Sequence, residues 1–165
     1  MFGKKFQIMI YLSLIIFLSA GCSIGQAAHA PQSGSIFSGN LTLVNAGSNT
    51  SANGGEIEFA VSEDGESITS LSYLLVGDKC WDETKSITVS GVGAKISRNP
   101  PPSIENGGFV WADNEIKVDA VFTSSTEASG SMTLSVINRI SNPFSNLHTQ
   151  FVCDYGTWEW NANVK

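Results

Sequence analysis

The sequence predicts an all-β fold: an antiparallel β-sandwich, immunoglobulin-like or jelly-roll-like, of about eight short strands over residues 36–165. Three observations carry this reading. Apolar residues recur at every second position in one run after another, which is the period of a half-buried strand. The runs are short and are separated by Gly, Asp, Asn, Ser and Pro, the residues that build turns. No stretch after residue 35 shows the 3–4 residue apolar spacing of a helix.

The first residues are of another kind. Lys4 and Lys5 precede residues 6–18, in which only Gln7 and Ser13 are strongly polar. A positive start followed by a short apolar run reads as a secretory leader, because a transmembrane helix needs about 20 apolar residues. Leu18-Ser19-Ala20-Gly21-Cys22 then resembles the lipobox of bacterial lipoproteins, with Ser19 at the place where leucine is usual. The resemblance implies that residues 1–21 are signal peptide and that Cys22 carries a diacylglycerol on its thiol. Cys22 would be the first residue of the mature chain, its amino group open to acylation by a palmitate-type fatty acid. It also implies a cell-envelope address, at the outer membrane or cell surface, since Ser23 is not the aspartate that retains such proteins at an inner membrane. Gly21-Cys22-Ser23-Ile24-Gly25 spells a G-x-S-x-G nucleophile motif, but it straddles the processing site and precedes no strand-to-helix turn.

Without residues 1–21 the chain has 144 residues, enough for one domain with a real core. Loss of Lys4 and Lys5 leaves seven basic residues against fifteen acidic ones, a net charge near −8. Such a surface argues against nucleic acid, whose phosphates need basic patches. It also argues against electrostatic binding to anionic lipid, so any membrane association rests on the lipid anchor. Residues 22–35, the lipidated cysteine and the small polar stretch after it, read as a flexible tether, with His29 solvated.

The strands follow in order. Ile57, Phe59 and Val61 share one face of residues 55–62, and Asp64-Gly65 is a hairpin signal. Residues 68–76 return, rich in Leu and Tyr, and residues 86–90 form another short strand. Asn99 to Pro102 is an extended loop, and a strand starts at Gly108. Ile116, Val118, Ala120 and Phe122 alternate cleanly, as do Met132, Leu134 and Val136 after a turn at Ala128-Ser129-Gly130. At the end, Trp158, Trp160 and Ala162 share a face. The phrases "SGSIFSGN", "GGEIEFAVSEDGESITSLSY", "ASGSM" and "TWEWNA" loosely resemble small secreted bacterial β-modules, a resemblance that bears on the fold and implies no activity. An antibody-type immunoglobulin domain fits less well: Trp111 lies far beyond Cys80, and Phe151 stands where a tyrosine would precede the second cysteine.

Cys80 and Cys153 are the two cysteines left after Cys22, and in an exported chain an even pair reads as a disulfide. Zinc is poorly supplied, because His148 is the only histidine outside the tether. No metal and no cofactor is expected. A Ser-His-Asp triad would have to use His148 with no local motif to support it. Glu56 with Glu58, and Asp82 with Glu83, are the carboxylate pairs on offer for glycoside hydrolysis. Glu63 to Glu66, and Asp78 with Asp82 and Glu83, are the oxygen clusters on offer for calcium. All read more simply as solvating acids. Trp81, Trp111, Trp158 and Trp160 are candidate ligand-binding residues, since a row of exposed rings stacks on sugars; the plainer reading is core, because Trp is highly buried on average. The expected role is non-catalytic, structural or binding, at the cell envelope, with a glycan or an envelope protein as partner. A carbohydrate-binding module using exposed tryptophans is the alternative, and a hydrolase is third.

Overall fold

The computed structural model describes residues 28–82, 88–141 and 148–165. The expected leader, Cys22 and the first part of the expected tether lie outside the described residues. The chain is all-β. Its strands are β1 (Ile36–Asn45), β2 (Thr50–Ser51), β3 (Gly54–Val61), β4 (Ile68–Val76), β5 (Lys79–Trp81), β6 (Thr88–Val89), β7 (Gly93–Ile96), β8 (Gly108–Ala112), β9 (Ile116–Phe122), β10 (Glu127–Ser141) and β11 (His148–Val164). Eight of them form one antiparallel sheet in the order β7-β4-β3-β1-β11-β10-β9-β8, and β2-β5-β6 form a small second sheet. The predicted strand at residues 86–90 is seen at Thr88–Val89 within the described residues.

The large sheet curls on itself. Phe59 on β3 and Phe109 on β8 stand five places apart in the strand order, yet their ring centroids are 5.1 Å apart. Phe37 stacks on Phe59 at 5.1 Å and meets Phe122 edge-on at 5.4 Å. Trp160 closes the group against Phe59 at 5.7 Å. One core therefore lies on the concave face, fed by the inward residues of every long strand.

Period two alone does not produce this core; two bulges adjust it. Val61 pairs with Ile68 while Ala60 pairs with Ser70, so Thr69 is skipped and Ile68 turns inward with Leu71, Tyr73 and Leu75. On β11, Leu134 faces Gly156 and Ser135 faces Asp154, so Tyr155 is skipped. Trp158, Trp160 and Ala162 point inward on one phase, Cys153 and Tyr155 on the other. Gly156 sits at the phase change with φ 74°, where a side chain would collide with the Asn45 carbonyl.

The segment after β7 does more than the extended loop expected from Asn99 to Pro102. Glu105 and Gly108 exchange both backbone hydrogen bonds, 2.8 and 3.0 Å, around Asn106 and Gly107 at φ 51° and 72°. That is a two-residue turn with two positive φ angles, the geometry Asn-Gly favours. The same segment pairs back to the start of β4: Ile68 N–H donates to Pro102 O at 2.9 Å and Ile104 N–H to Glu66 O at 2.8 Å. The two edges of the curled sheet are thus stitched together at one end. Across the open seam between β7 and β8, the Arg98 guanidinium donates to Ala112 O at 2.7 Å.

The tether reading needs correction over its described part. Residues 28–35 are docked. Gln32 N–H donates to Ser125 O, Gly34 N–H to Ser62 O, and Val61 N–H to Ser35 O, at 2.8 to 2.9 Å. Pro31 and Ser35 are buried. A Cβ at Gly107 would stand 2.9 Å from Ala28 Cα, so the chain enters the domain against that turn.

Candidate functional site

The cysteines come together as expected. Cys80 and Cys153 form a disulfide with a Cα–Cα distance of 5.7 Å, and both are buried. Cys80 belongs to the small sheet and Cys153 to β11 of the large one, so the bridge fastens one sheet to the other. Asn49 reinforces the joint. Its amide donates to Trp81 O at 3.1 Å and to Val152 O at 2.7 Å, while its oxygen accepts from Asp154 N–H at 3.1 Å. Thr50 Oγ1 donates to Asp154 O at 2.6 Å.

The candidate tryptophans do not line up on a surface. Trp111, Trp158 and Trp160 are at most 2% exposed. Trp158 donates its indole N–H to Tyr155 O at 2.9 Å inside the core, and the indole nitrogens of Trp111 and Trp160 are buried without a protein partner. The alternation that puts Trp158 and Trp160 on one face puts both on the concave face. Trp81 alone is partly exposed, beside the bridge. A row of rings open to a sugar is therefore not what these four residues form.

The acidic clusters are also occupied by the fold. Asp64 Oδ1 accepts from Ser62 Oγ at 2.5 Å and from Glu66 N–H at 3.0 Å, and these bonds, Ser62 first, hold its carboxyl below its usual range. Asp78 is buried, with Oδ2 accepting from Val92 N–H at 2.7 Å. Glu56 and Glu58 lie on the convex side of β3. Among the described residues no three His, Cys, Asp or Glu side chains gather to hold a metal ion. The side chain of His148 and all of Glu83 lie outside the described residues.

Two buried phenols mark the far end of the core. Burial, and then the charges of Glu115 and Asp113, push Tyr73 up to about 12. Burial, and then Asp78 and Tyr73, push Tyr155 up to about 12. The only other tyrosine in the sequence, Tyr11, lies outside the described residues. An absorbance titration of the Tyr11→Phe protein should therefore show no tyrosinate as the pH passes the ordinary value of 10. The folded values lie above the unfolded one, so the stability these phenols contribute is intact below pH 10 and is lost as the pH rises toward 12. A phenol titrating at 10 in folded protein would place its hydroxyl in solvent.

A broad groove of about 1070 Å³ lies on the convex side of the sheet. Its floor is built from outward residues of four adjacent strands. Val110, Asp119, Ser131 and Glu159 form one row across β8, β9, β10 and β11, and Val121, Ser129 and Asn161 form the next. One wall is the stitched segment, with Arg98, Pro100 to Pro102 and Glu105. Lys117 pairs with Asp119 at 2.7 Å. Sequence reasoning missed this site. Each floor residue reads alone as a solvated strand position, and only the sheet order gathers them. The Asn106-Gly107 pair was the available signal for the wall, since it marks a tight hairpin.

Chemically the groove offers short hydroxyl and amide groups, carboxylates at two levels, and apolar patches at Val110, Val121 and the prolines. It holds no titratable pair with a histidine or thiol. No protein-family model, no curated protein and no solved structure matches this chain.

Proposed function

We propose that this chain is a lipid-anchored, extracytoplasmic β-domain with a non-catalytic structural or binding role at the bacterial cell envelope. The observation that carries the reading is the buried Cys80–Cys153 bridge between the two sheets. A structural disulfide of this kind belongs to oxidising compartments. It agrees with the leader and with the lipobox-like ending at Cys22. The two halves of the curled sheet face one another across a single core, which supports reading the domain as sandwich-like.

A second reading is favoured by the groove: a carbohydrate-binding module. Its ligand would meet the outward face of β8 to β11 in place of a row of tryptophans.

The anchor is tested by metabolic labelling with palmitate in a bacterial host. Wild type should take up label and fractionate with membranes. Cys22→Ala should lose the label and leave the membrane fraction, since a single acyl chain binds membranes only marginally and it is the two or more chains on Cys22 that would hold an acidic domain there. Absence of label on wild type would overturn the anchored reading.

A further inference from the structure

The groove has a floor, a wall, a charge and a position, and together they define a ligand. The floor presents side chains at the strand spacing, roughly 4.8 Å between neighbours. Asp119 and Glu159 stand two strands apart with Ser131 between them. Asn161 and Ser129 repeat the pattern one row on. Hydroxyl donors of a ligand would meet carboxylate, hydroxyl and amide acceptors at each step. Val110 and Val121, each 53% exposed, offer apolar contact beside them. A polymer with alternating hydroxyl edges and C–H faces matches both.

A peptide matches less well. Its usual way onto a sheet is to add a strand at a free edge. At β8 that edge is engaged at both ends: Gly108 by Glu105 and Ala112 O by Arg98. Its other extended mode, the polyproline helix, needs an aromatic-lined groove. Here the rings of Trp160 and Phe109 belong to the core.

Charge narrows the choice. Glu105, Asp119 and Glu159 outnumber the two cations beside them, the Arg98 guanidinium on the wall and the Lys117 ammonium paired with Asp119, in a chain whose net charge is negative. An acidic polysaccharide would be repelled. Position narrows it again. The chain enters the domain at Ala28 against Gly107, beside groove residues Asn106 and Gly108. Ala28 is six positions beyond Cys22, which even at full extension is a span of at most roughly 20 Å. The groove thus belongs to the anchored end of the domain.

We propose that this groove binds a strand of uncharged or amino-bearing polysaccharide of the cell envelope close to the membrane, held by Asp119, Ser131, Glu159 and Asn161 without an exposed aromatic platform. The proposal rests on the carbohydrate-binding reading above and deepens it.

The test uses detergent-extracted full-length protein in pull-downs on insoluble cellulose, chitin, chitosan and purified cell-wall sacculi. Alginate beads serve as the acidic control, and a cationic peptide resin serves as the rival. Wild type should be retained on at least one of the first four and not on alginate. Asp119→Ala and Glu159→Ala should each weaken retention about tenfold, the loss of one hydrogen bond to a charged group. Ser131→Trp should abolish it by filling the floor. Melting temperatures should match wild type, because all three side chains face outward. Retention on none of the four polymers, or equal retention of the variants, would overturn the proposal. Groove-dependent capture by the peptide resin alone would also overturn it. If Trp81→Ala abolishes retention while the three groove variants do not, the module reading survives and this groove is excluded. Palmitate labelling reads the anchor independently of every pull-down result.

Discussion

Replacing Cys80 and Cys153 together by alanine is expected to lower the unfolding free energy by about 4 kcal/mol. The bridge closes a loop with a sequence separation of 73 residues, and a long closed loop removes much freedom from the unfolded chain. The large sheet has its own core and should remain folded. The small sheet should not stay ordered to the same degree. β2, β5 and β6 contribute two or three residues each, and their links to β11 are the bridge, Asn49 and Thr50. Hydrogen exchange should therefore accelerate in these strands well before it does in β3 or β9. Denaturant titration with and without reductant checks the magnitude, and an unchanged midpoint on reduction would contradict it. Non-reducing peptide mapping should show the two cysteines joined.

Phe59→Ala should be comparably severe, at about 3–5 kcal/mol and a fall in melting temperature of about 10 °C or more. Phe59 is fully buried and contacts four rings: Phe37, Phe109, Phe122 and Trp160. These rings come from four other strands at both sides of the curl. Truncation would leave a void where the two halves of the sheet meet, and close packing allows only partial collapse. Val121→Ala, on the exposed side of β9, should change stability by no more than about 0.5 kcal/mol. A loss under about 1 kcal/mol for Phe59→Ala would mean that the ring cluster is not what holds the curl.

Where alternation is unbroken, the elements could be read directly from the residues. Ile57-Phe59-Val61, the run from Ile68 and the run from Ile116 to Phe122 lie in strands at nearly the expected bounds. The cysteine pairing was legible because, once export was expected, Cys80 and Cys153 were left with one obvious outcome. Less legible was anything that depends on a skipped residue. Thr69 and Tyr155 each change which neighbours share a face, and no local pattern announces that change. Neighbourhood across the sheet was hidden as well. β1 lies between β3 and β11, so the first strand is central and borders the last. Asp119, Ser131 and Glu159 become a row only once three strands are placed side by side.

The central place of β1 has a mechanical consequence. The chain runs from the docked residues 28–35 straight into Ile36, and β1 is bonded on one side to β3 and on the other to β11. Antiparallel hydrogen bonds lie perpendicular to the strand. Tension entering through the N-terminal segment therefore acts along β1 and across both ladders at once. The two ladders must shear together, whereas the β10–β11 ladder, pulled apart from its Ser141–His148 end, would unzip one pair at a time. Resistance to force is set by the height of the barrier and the rate of crossing it. Force applied at residue 28 thus meets a stiff response, and force applied at the Ser141–His148 pair a compliant one.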